Sequence, residues 1–202
     1  MSRSTVRLVP RKRPQQGRSQ ATYDAILEAA ARILENEGRG ALTTNRVAER
    51  AGVSIGSLYQ YFPAREAILA ELICRIRHEM HADFVTASNA TLDGSLTAAV
   101  DALISASLRH HLKRPILARL LEQIEDELPF DTETTALKSQ FADMVVSTLA
   151  RHGVANTERT AFDLIAISHG LSHAAVRAAE MNFDDLHSRI RRAVLGYLDR
   201  RS

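Results

Sequence analysis

The residues best suited to chemistry lie in one uncharged stretch, Ser54-Ile55-Gly56-Ser57-Leu58-Tyr59-Gln60-Tyr61. A helix face that is only solvated usually carries Glu and Lys. Small hydroxyls, a glycine and tyrosines instead suit close approach to a sugar–phosphate backbone and to base edges. Gln60 is the only amide here, and a bidentate contact with adenine would contribute about 1–3 kcal/mol of base discrimination. The pattern favours duplex DNA as the ligand; the alternative is a helical hairpin packed inside an ordinary bundle.

Two short helices joined by a turn are predicted to position this stretch. A threonine hydroxyl can cap the first helix, and Gly52 can end it in the left-handed conformation. Ser54 can cap the second helix, and apolar residues at helical spacing give each helix a buried face. This arrangement is a helix-turn-helix. The cap of the first helix is Thr43 or Thr44. The buried faces consist of Val47, Ala48 and Ala51 on the first helix and of Leu58 and Phe62 on the second.

The same segment resembles the N-terminal signature of TetR-family transcriptional regulators. The similarity extends from about Gln20 to Leu72, and Arg65-Glu66 stands where that family usually has a Lys-Glu pair. The resemblance implies a dimeric, all-α transcriptional regulator, commonly a repressor, that binds a palindromic operator. The residues that carry the resemblance are Thr44-x-x-Val47-Ala48-x-x-Ala51-Gly52-Val53-Ser54-x-Gly56-x-Leu58-Tyr59-x-Tyr61-Phe62, followed by Arg65-Glu66-Ala67-Ile68-Leu69.

On this interpretation, residues 20–66 bind operator DNA through two sets of side chains. One set would hold the protein on the phosphates, and the other would face the groove. The first set is Thr43, Thr44, Ser54, Tyr61 and Arg65; the second is Ile55, Gly56, Ser57, Tyr59 and Gln60.

Composition and length favour an all-α protein. The 202 residues are 45% hydrophobic and 25% charged, and they include no Trp. The expected organisation is a helix-turn-helix DNA-binding domain over residues 20–66, followed by a larger helical ligand-binding and dimerisation bundle over 67–202. No run of about 18 apolar residues or secretory signal is present, so we expect a cytoplasmic protein with no membrane partner. The single cysteine, Cys74, is expected to be a buried, inert thiol.

Positive charge is concentrated at the N-terminus. The net charge is +2, yet residues 1–21 carry six basic side chains and no acid, whereas residues 22–75 carry six basic and seven acidic ones. Residues 1–19 are expected to be a disordered basic arm. The arm is interpreted either as a solubilising tail or as a segment that tracks phosphates or enters a minor groove.

Further helices are predicted along the chain, and the last two bear on assembly. Their apolar residues cover more than the single stripe that a surface helix needs. One alternative buries both faces within a monomer, and the other pairs the two helices with those of a second chain in a four-helix dimer bundle. The resemblance implies the dimer. The predicted helices span residues 21–37, 64–88, 96–112, 116–128, 132–152, 157–181 and 182 to the C-terminal end.

The resemblance also implies an unidentified small-molecule effector. It would bind among the helices of residues 96–180 and change the spacing of the two reading helices, which requires it to prefer the state that cannot bind DNA. Eight side chains are candidates for this pocket, each with ordinary core packing as the alternative: Leu103, Ser107, Leu120, Ile124, Phe141, Met144, Phe162 and His169.

Nothing in the sequence predicts catalysis, a metal site or a cofactor. Three histidine groups have spacings that could hold a metal on a helix, but no further ligand pattern accompanies them, so exposed or interface histidines are expected. No phosphate-binding glycine loop, nucleophile elbow or triad order occurs, and an enzyme is not expected. The competing function is a helical protein-interaction module without sequence-specific DNA binding. The histidine groups are His78-x-x-His81 with Asp83, His110-His111, and His169-x-x-x-His173.

Overall fold

The computed structural model describes residues 9–11, 17–125, 132–180 and 182–199, and every regular element within these ranges is helical. The all-α prediction is therefore confirmed. A single 3-10 turn, Arg39–Ala41, lies between the first two helices. The α-helices are α1 (Gly17–Glu37), α2 (Thr44–Ala51), α3 (Ile55–Tyr61), α4 (Arg65–Ala90), α5 (Leu96–Lys113), α6 (Pro115–Glu125), α7 (Thr132–Arg151), α8 (Thr157–Arg177) and α9 (Phe183–Asp199).

The start of α1 and the end of α8 differ from the predicted boundaries. Helix α1 begins at Gly17, so residues 17–19 of the expected disordered arm are helical; apart from residues 9–11, the rest of that arm lies outside the described ranges. Helix α8 stops at Arg177 instead of near Met181, because Ala179 takes a left-handed φ of 53°. The amide of Glu180 donates to the carbonyl of Ala175 at 2.9 Å, which satisfies one of the last carbonyls of the helix.

Other predicted helix ends are confirmed. Asn182 caps α9 by accepting a hydrogen bond from the amide of Asp185 at 3.1 Å. Gly153 follows α7 with a φ of 71°, a conformation that glycine adopts without steric cost. The expected extension of α6 to residue 128 falls partly outside the described residues, which stop at Glu125 and resume at Thr132.

The first compact unit comprises Met1–Ile76 and Ile116–Thr132. The first unit ends within α4, ten residues after the domain boundary expected at residue 66. The unit also includes α6. The core of the unit is apolar and is contributed by α1 to α4 and α6. Its fully buried members include Ile26, Ile33, Leu34, Leu42, Val47, Leu58, Phe62, Ile68 and Ile124.

The second unit comprises Arg77–Pro115 and Glu133–Ser202. Helix α9 packs against both α5 and α8. One cluster of buried residues joins these helices to α7, and a smaller one joins α4, α5 and α7. The larger cluster is Val100, Ile104, Leu108, Leu149, Ala161, Leu164, Ala175, Leu186, Ile190, Val194 and Leu198; the smaller is Phe84, Ala87, Leu103 and Ala106, with Phe141 and Met144 packed against it.

The structure also bears on the predictions for the single cysteine and for membrane-spanning helices. Cys74 is a free cysteine and is buried, as predicted. No helix among those residues combines the length and the apolar character needed to span a bilayer.

Tyr23 of α1 joins three elements of the first unit. Its ring stacks on Phe62 at 4.9 Å between centroids and meets the edge of Tyr61 at 5.8 Å. The Arg75 guanidinium of α4 lies over the same ring at 5.6 Å and forms an ion pair with Asp24. Aromatic pairs and a cation over a ring each contribute on the order of 0.5–1.5 kcal/mol. These contacts fix the end of α3 against α1 and α4.

The Asp24–Arg75 pair predicts a pH dependence of stability. Partial burial by itself would raise the pKa of Asp24, but hydrogen bonds from Arg75 and Gln20 and the charge of Arg75 hold that pKa below its ordinary value. Such a group stabilises the fold above its unfolded pKa, near 3.9, and the contribution is lost as pH falls through the lowered folded value.

We therefore expect Asp24→Asn to lower the free energy of unfolding at pH 7 by less than about 1 kcal/mol, since both partners are partly exposed. Urea unfolding at a series of pH values measures this, with the exposed Asp93→Asn as the control. The gap between wild type and Asp24→Asn should close as pH falls below 4; a gap that persists at low pH would contradict this assignment.

Candidate nucleic-acid interface

Caps and a left-handed glycine hold α2 and α3 in a helix-turn-helix. Of the two threonines considered, Thr43 is the cap: its hydroxyl accepts a hydrogen bond from the amide of Arg46 at 3.2 Å. Gly52 ends α2 with φ 67° and ψ 30°, and the next amide, that of Val53, donates to Ala48 at 3.0 Å. Ser54 caps α3 by accepting from the amide of Ser57 at 3.0 Å. Each cap of this kind contributes about 1 kcal/mol.

One face of α3 is exposed and carries no charge. Leu58 and Phe62 are completely buried, and the helical period turns the intervening residues outward. Ile55 and Tyr59 are 38% and 40% exposed, high values for large apolar side chains. We call this surface the α3 face: it consists of the exposed Ser54, Ile55, Gly56, Tyr59 and Gln60, with Ser57 half-buried at its edge.

Hydroxyl contacts fix the side chains of this face before any ligand binds. The Tyr59 hydroxyl and the Thr44 hydroxyl are 3.2 Å apart, which links α3 to α2. The hydroxyls of Ser54 and Ser57 lie 2.8 Å apart along α3. Hydroxyl groups both donate and accept, so each retains capacity for phosphate or base contacts.

Tyr61 is buried, unlike the other side chains predicted to bind DNA from α3. It was expected on the outer face in contact with phosphate, and its exposure contradicts that position: the side chain is only 9% exposed. Tyr61 is three residues beyond Leu58 and precedes Phe62, so the helical period places it on the buried side, where its ring meets Tyr23. We therefore leave it out of the α3 face.

Three arginines of the helix-turn-helix region are held in ion pairs. Arg65, predicted to contact phosphate, is exposed, and its Nε lies 2.8 Å from Glu66 Oε1. Glu37 of α1 forms ion pairs with both Arg46 and Arg50 of α2, the latter at 2.9 Å. The Glu37 pairs were not predictable from the sequence, because no local spacing signals a contact between two separate helices.

A surface depression of about 650 Å³ borders α2. It includes Thr43 and adds Asn45 and Arg46, both exposed, to the polar groups beside the helix-turn-helix. No sequence pattern distinguishes these two residues from other polar surface residues. The complete lining is Gly40, Ala41, Thr43, Asn45, Arg46, Glu49 and Arg50.

The structure places the eight predicted effector residues in several settings, and the effector pocket itself stays a prediction. Leu120 and Ile124 pack in the core of the first unit. Phe162 is 65% exposed, and His169 is also exposed on α8. The other four belong to the second unit: Leu103, Phe141 and Met144 share its smaller apolar cluster, and the hydroxyl of Ser107 donates to the carbonyl of Ile104 at 2.7 Å.

The histidine spacings do not form a metal centre within the described residues, where no group of three or more potential ligands is placed to hold an ion. The rings of His169 and His173 stack at 5.9 Å on α8. His81 lies 6.2 Å from the ring of Phe141. The side chains of His110 and His111 lie outside the described part of the structure.

Comparison with protein families gives two matches. Residues 26–72 match the family described as bacterial regulatory proteins, tetR family. Residues 95–198, about half of the chain, match the tetracyclin repressor-like C-terminal domain. The first match contains the whole of the helix-turn-helix, and the second spans α5 to nearly the end of α9.

Curated relatives match over part of their length. The nucleoid occlusion factor SlmA of Haemophilus ducreyi is 33% identical over 97 residues, which are 48% of this chain and 47% of that protein. The HTH-type transcriptional repressor DrrR1 of Streptomyces coeruleorubidus is 30% identical over 112 residues, 54% of this chain and 39% of the repressor. The chain thus spans about half the length, or less, of these relatives.

Solved structures share the fold over most of the chain. The fatty acid degradation regulator FadR from Bacillus halodurans gives a TM-score of 0.72 at 15% identity, covering 91% of this chain and 97% of that one. A TetR transcriptional regulator from Rhodococcus gives 0.61 at 22% identity, covering 88% and 96%. At these identities the likeness establishes the architecture.

A pair of glycine substitutions tests how the helix-turn-helix is held. A Cβ added at Gly52 meets no atom within 4 Å, and one at Gly56 meets only Ser54 Oγ at 3.8 Å, so neither alanine clashes. Gly52→Ala should cost about 1–2 kcal/mol, because alanine is disfavoured at a φ of 67°. Gly56→Ala should raise stability by up to about 1 kcal/mol, because alanine has the higher helix propensity.

Urea unfolding followed by circular dichroism measures both changes, and each glycine serves as the control for the other. Equal effects of the two alanines would show that the left-handed C-cap does not hold this turn.

Proposed function

Because this chain belongs to the TetR family of bacterial regulatory proteins and is a DNA-binding transcriptional regulator, we propose that it binds a palindromic operator as a homodimer through its α3 face and acts as a ligand-responsive repressor. Its site of action would be the cytoplasm, where bacterial DNA lies. Family and fold point to a regulatory DNA-binding protein rather than to an enzyme.

The observation that carries the proposal is the exposed, uncharged α3 face. The major groove is about 12 Å wide and admits one α-helix. At this face the small Gly56 permits close approach, the serine and threonine hydroxyls suit phosphates, and Gln60 suits the edge of adenine. In the proposed interface, Ile55, Gly56, Ser57, Tyr59 and Gln60 face the groove, and Thr43, Thr44, Ser54 and Arg65 contact phosphates.

Exposed apolar residues on α8 support the homodimer. Phe162 is 65% exposed and Ile165 is 37% exposed, one helical turn apart. Ala166 and Gly170 continue the same exposed side and would allow a second helix to pack closely. We assign the α8 face, Phe162, Ile165, Ala166 and Gly170, to a second copy of this chain, joined by α9 in a four-helix bundle. Two-fold symmetry would present two α3 faces to two half-sites of the operator.

The effector site of this proposal lies within the second unit. The apolar cluster that contains Leu103, Phe141 and Met144 also includes Phe84, whose ring packs edge to face against that of Phe141 at 4.7 Å. Ser107 supplies a hydroxyl on the same helix as Leu103. An apolar or aromatic small molecule would suit these side chains. It would relieve repression by binding more tightly to the conformation in which the two α3 faces do not fit the operator.

A helical protein-interaction module is the competing function. Such a module would account for a helical bundle. It would not explain why the α3 face combines serine, glycine and glutamine with an exposed tyrosine. DNA-binding measurements separate the two functions.

The α3 face predicts a specific loss of DNA affinity. Gln60→Ala should weaken binding to a duplex selected by the wild-type protein by about 1–3 kcal/mol per half-site, which is roughly 5- to 150-fold, because a bidentate base contact is removed. Tyr59→Ala should also weaken it. Binding to an unrelated duplex of equal length should barely change, since that binding depends on phosphate charge. Fluorescence anisotropy with labelled duplexes measures both affinities.

Gln123→Ala is the matched control, because Gln123 is an exposed glutamine on α6 of the same unit. It should leave both affinities at their wild-type values. Selected-duplex binding that is equal in wild type, Gln60→Ala and Tyr59→Ala would remove the reading function from α3 and favour the interaction module.

The dimer proposal predicts the effect of a charge on α8. Phe162→Glu should weaken dimerisation at least 10-fold, because it removes a large apolar side chain from the proposed interface and requires a carboxylate to lose its water there. Sedimentation velocity over a concentration series measures the monomer–dimer equilibrium. Leu92→Glu is the control: Leu92 is 50% exposed but lies between α4 and α5. A dimer equally stable in wild type and Phe162→Glu would place the interface elsewhere.

A further inference from the structure

The arginines of the helix-turn-helix unit are largely neutralised by the protein itself. Between residues 22 and 75 the sequence has six basic and seven acidic side chains. Five of those six are arginines seen in ion pairs, so carboxylates already balance their charges before DNA is present. The pairs are Arg32–Glu28 at 2.7 Å, Arg50–Glu37 at 2.9 Å, Arg65–Glu66 at 2.8 Å, Arg46–Glu37 and Arg75–Asp24.

This neutralisation matters because phosphate charge dominates DNA affinity. Each phosphate that a protein cation neutralises releases counterions and adds about 0.9 to the salt slope, the change in log K with log salt. An arginine that is already paired with a carboxylate neutralises a phosphate less completely. Its contact with DNA therefore releases fewer counterions. The body of the unit is thus a weak source of sequence-independent affinity, although its α3 face is shaped for a groove.

Two exposed arginines, Arg11 and Arg18, lie outside that balanced group. The backbone amide of Arg11 donates to the carbonyl of Tyr61, the last residue of α3, at 2.7 Å, and the Arg11 side chain is exposed. Arg18 is exposed in the first turn of α1. The segment that contains both, residues 1–21, has no acidic residue with which to pair them.

Arg18 occupies a position that helix stability disfavours. The first turn of α1 carries no acidic side chain, and a cation at a helix N-terminus opposes the helix dipole by about 0.3–1 kcal/mol. The backbone of Arg11 is hydrogen-bonded to Tyr61, which directly follows Gln60 in the chain. A group at the end of a helix seated in a groove about 12 Å wide lies close to the flanking phosphates.

We propose that Arg11, anchored to the end of α3 by its backbone, and Arg18 contact the phosphates that flank the groove occupied by α3. These two arginines add sequence-independent affinity to the small amount that the internally paired body supplies. The proposal rests on the proposed function, since it places α3 in the groove, but it concerns phosphate charge and makes a separate prediction.

The salt slope of DNA binding tests the proposal. In the full-length chain, Arg11→Gln and Arg18→Gln should each reduce the magnitude of the slope by about 1, and the double variant by about 2, because each removes one phosphate contact. The reduction should be the same on a selected duplex and on an unrelated duplex of equal length. Fluorescence anisotropy titrations over a potassium chloride series measure the slopes.

Two further variants complete the experiment. Arg32→Gln is the matched control, because Arg32 is exposed on α1 and paired with Glu28; it should leave the slope unchanged. Arg11→Lys should keep the slope, since it retains the charge. Thermal unfolding confirms that each variant is folded, which is expected because Arg11 and Arg18 are exposed.

The outcomes separate this inference from the function of α3. Slopes unchanged in both Arg11→Gln and Arg18→Gln, or changed as much by Arg32→Gln, would overturn the phosphate contacts even if Gln60 still selects the operator. Reduced slopes on an unrelated duplex would support the contacts even if the α3 face proved not to read bases.

Discussion

The burial of Leu58, Tyr61 and Phe62 is the constraint on which the DNA-binding surface depends. These residues occupy one side of α3, and Tyr23 of α1 packs on both aromatic rings, with centroids at 4.9 and 5.8 Å. Since α3 spans only seven residues, it has little helical stability of its own, and tertiary packing holds it in place. Once that side is buried, the helical period leaves the other side exposed, and the α3 face follows.

Several charged side chains of the first unit form ion pairs between its helices. Glu37 bridges Arg46 and Arg50, and Asp24 pairs with the arginine that covers Tyr23, so these ions join separate helices. The exposed α3 face is left uncharged, which suits base edges and hydroxyl contacts. A protein of this design separates the groups that recognise sequence from the cations that attract DNA, and it would locate the latter at the N-terminus.

Local features of the fold were predictable from the sequence, and long-range ones were not. The Ser54 cap, the left-handed Gly52 and the buried Leu58 depend on a few neighbouring residues, so periodicity and cap chemistry predicted them. The prediction for Tyr61 was wrong because this residue lies three positions after Leu58, and that spacing places it on the buried side despite its polar hydroxyl. The packing of Ile124 in the core of the first unit was not predictable either, because it depends on how helices associate, and apolar spacing along α6 does not specify the partner helix.

Selection of bound sequences from random duplex DNA tests the central claim most directly, namely that a symmetric pair of α3 faces lies against the major groove. The account predicts an inverted repeat whose half-site centres are separated by one helical turn, about 10 base pairs, or a multiple of it. Recovery of no enriched sequence, or of a single asymmetric motif, would contradict it.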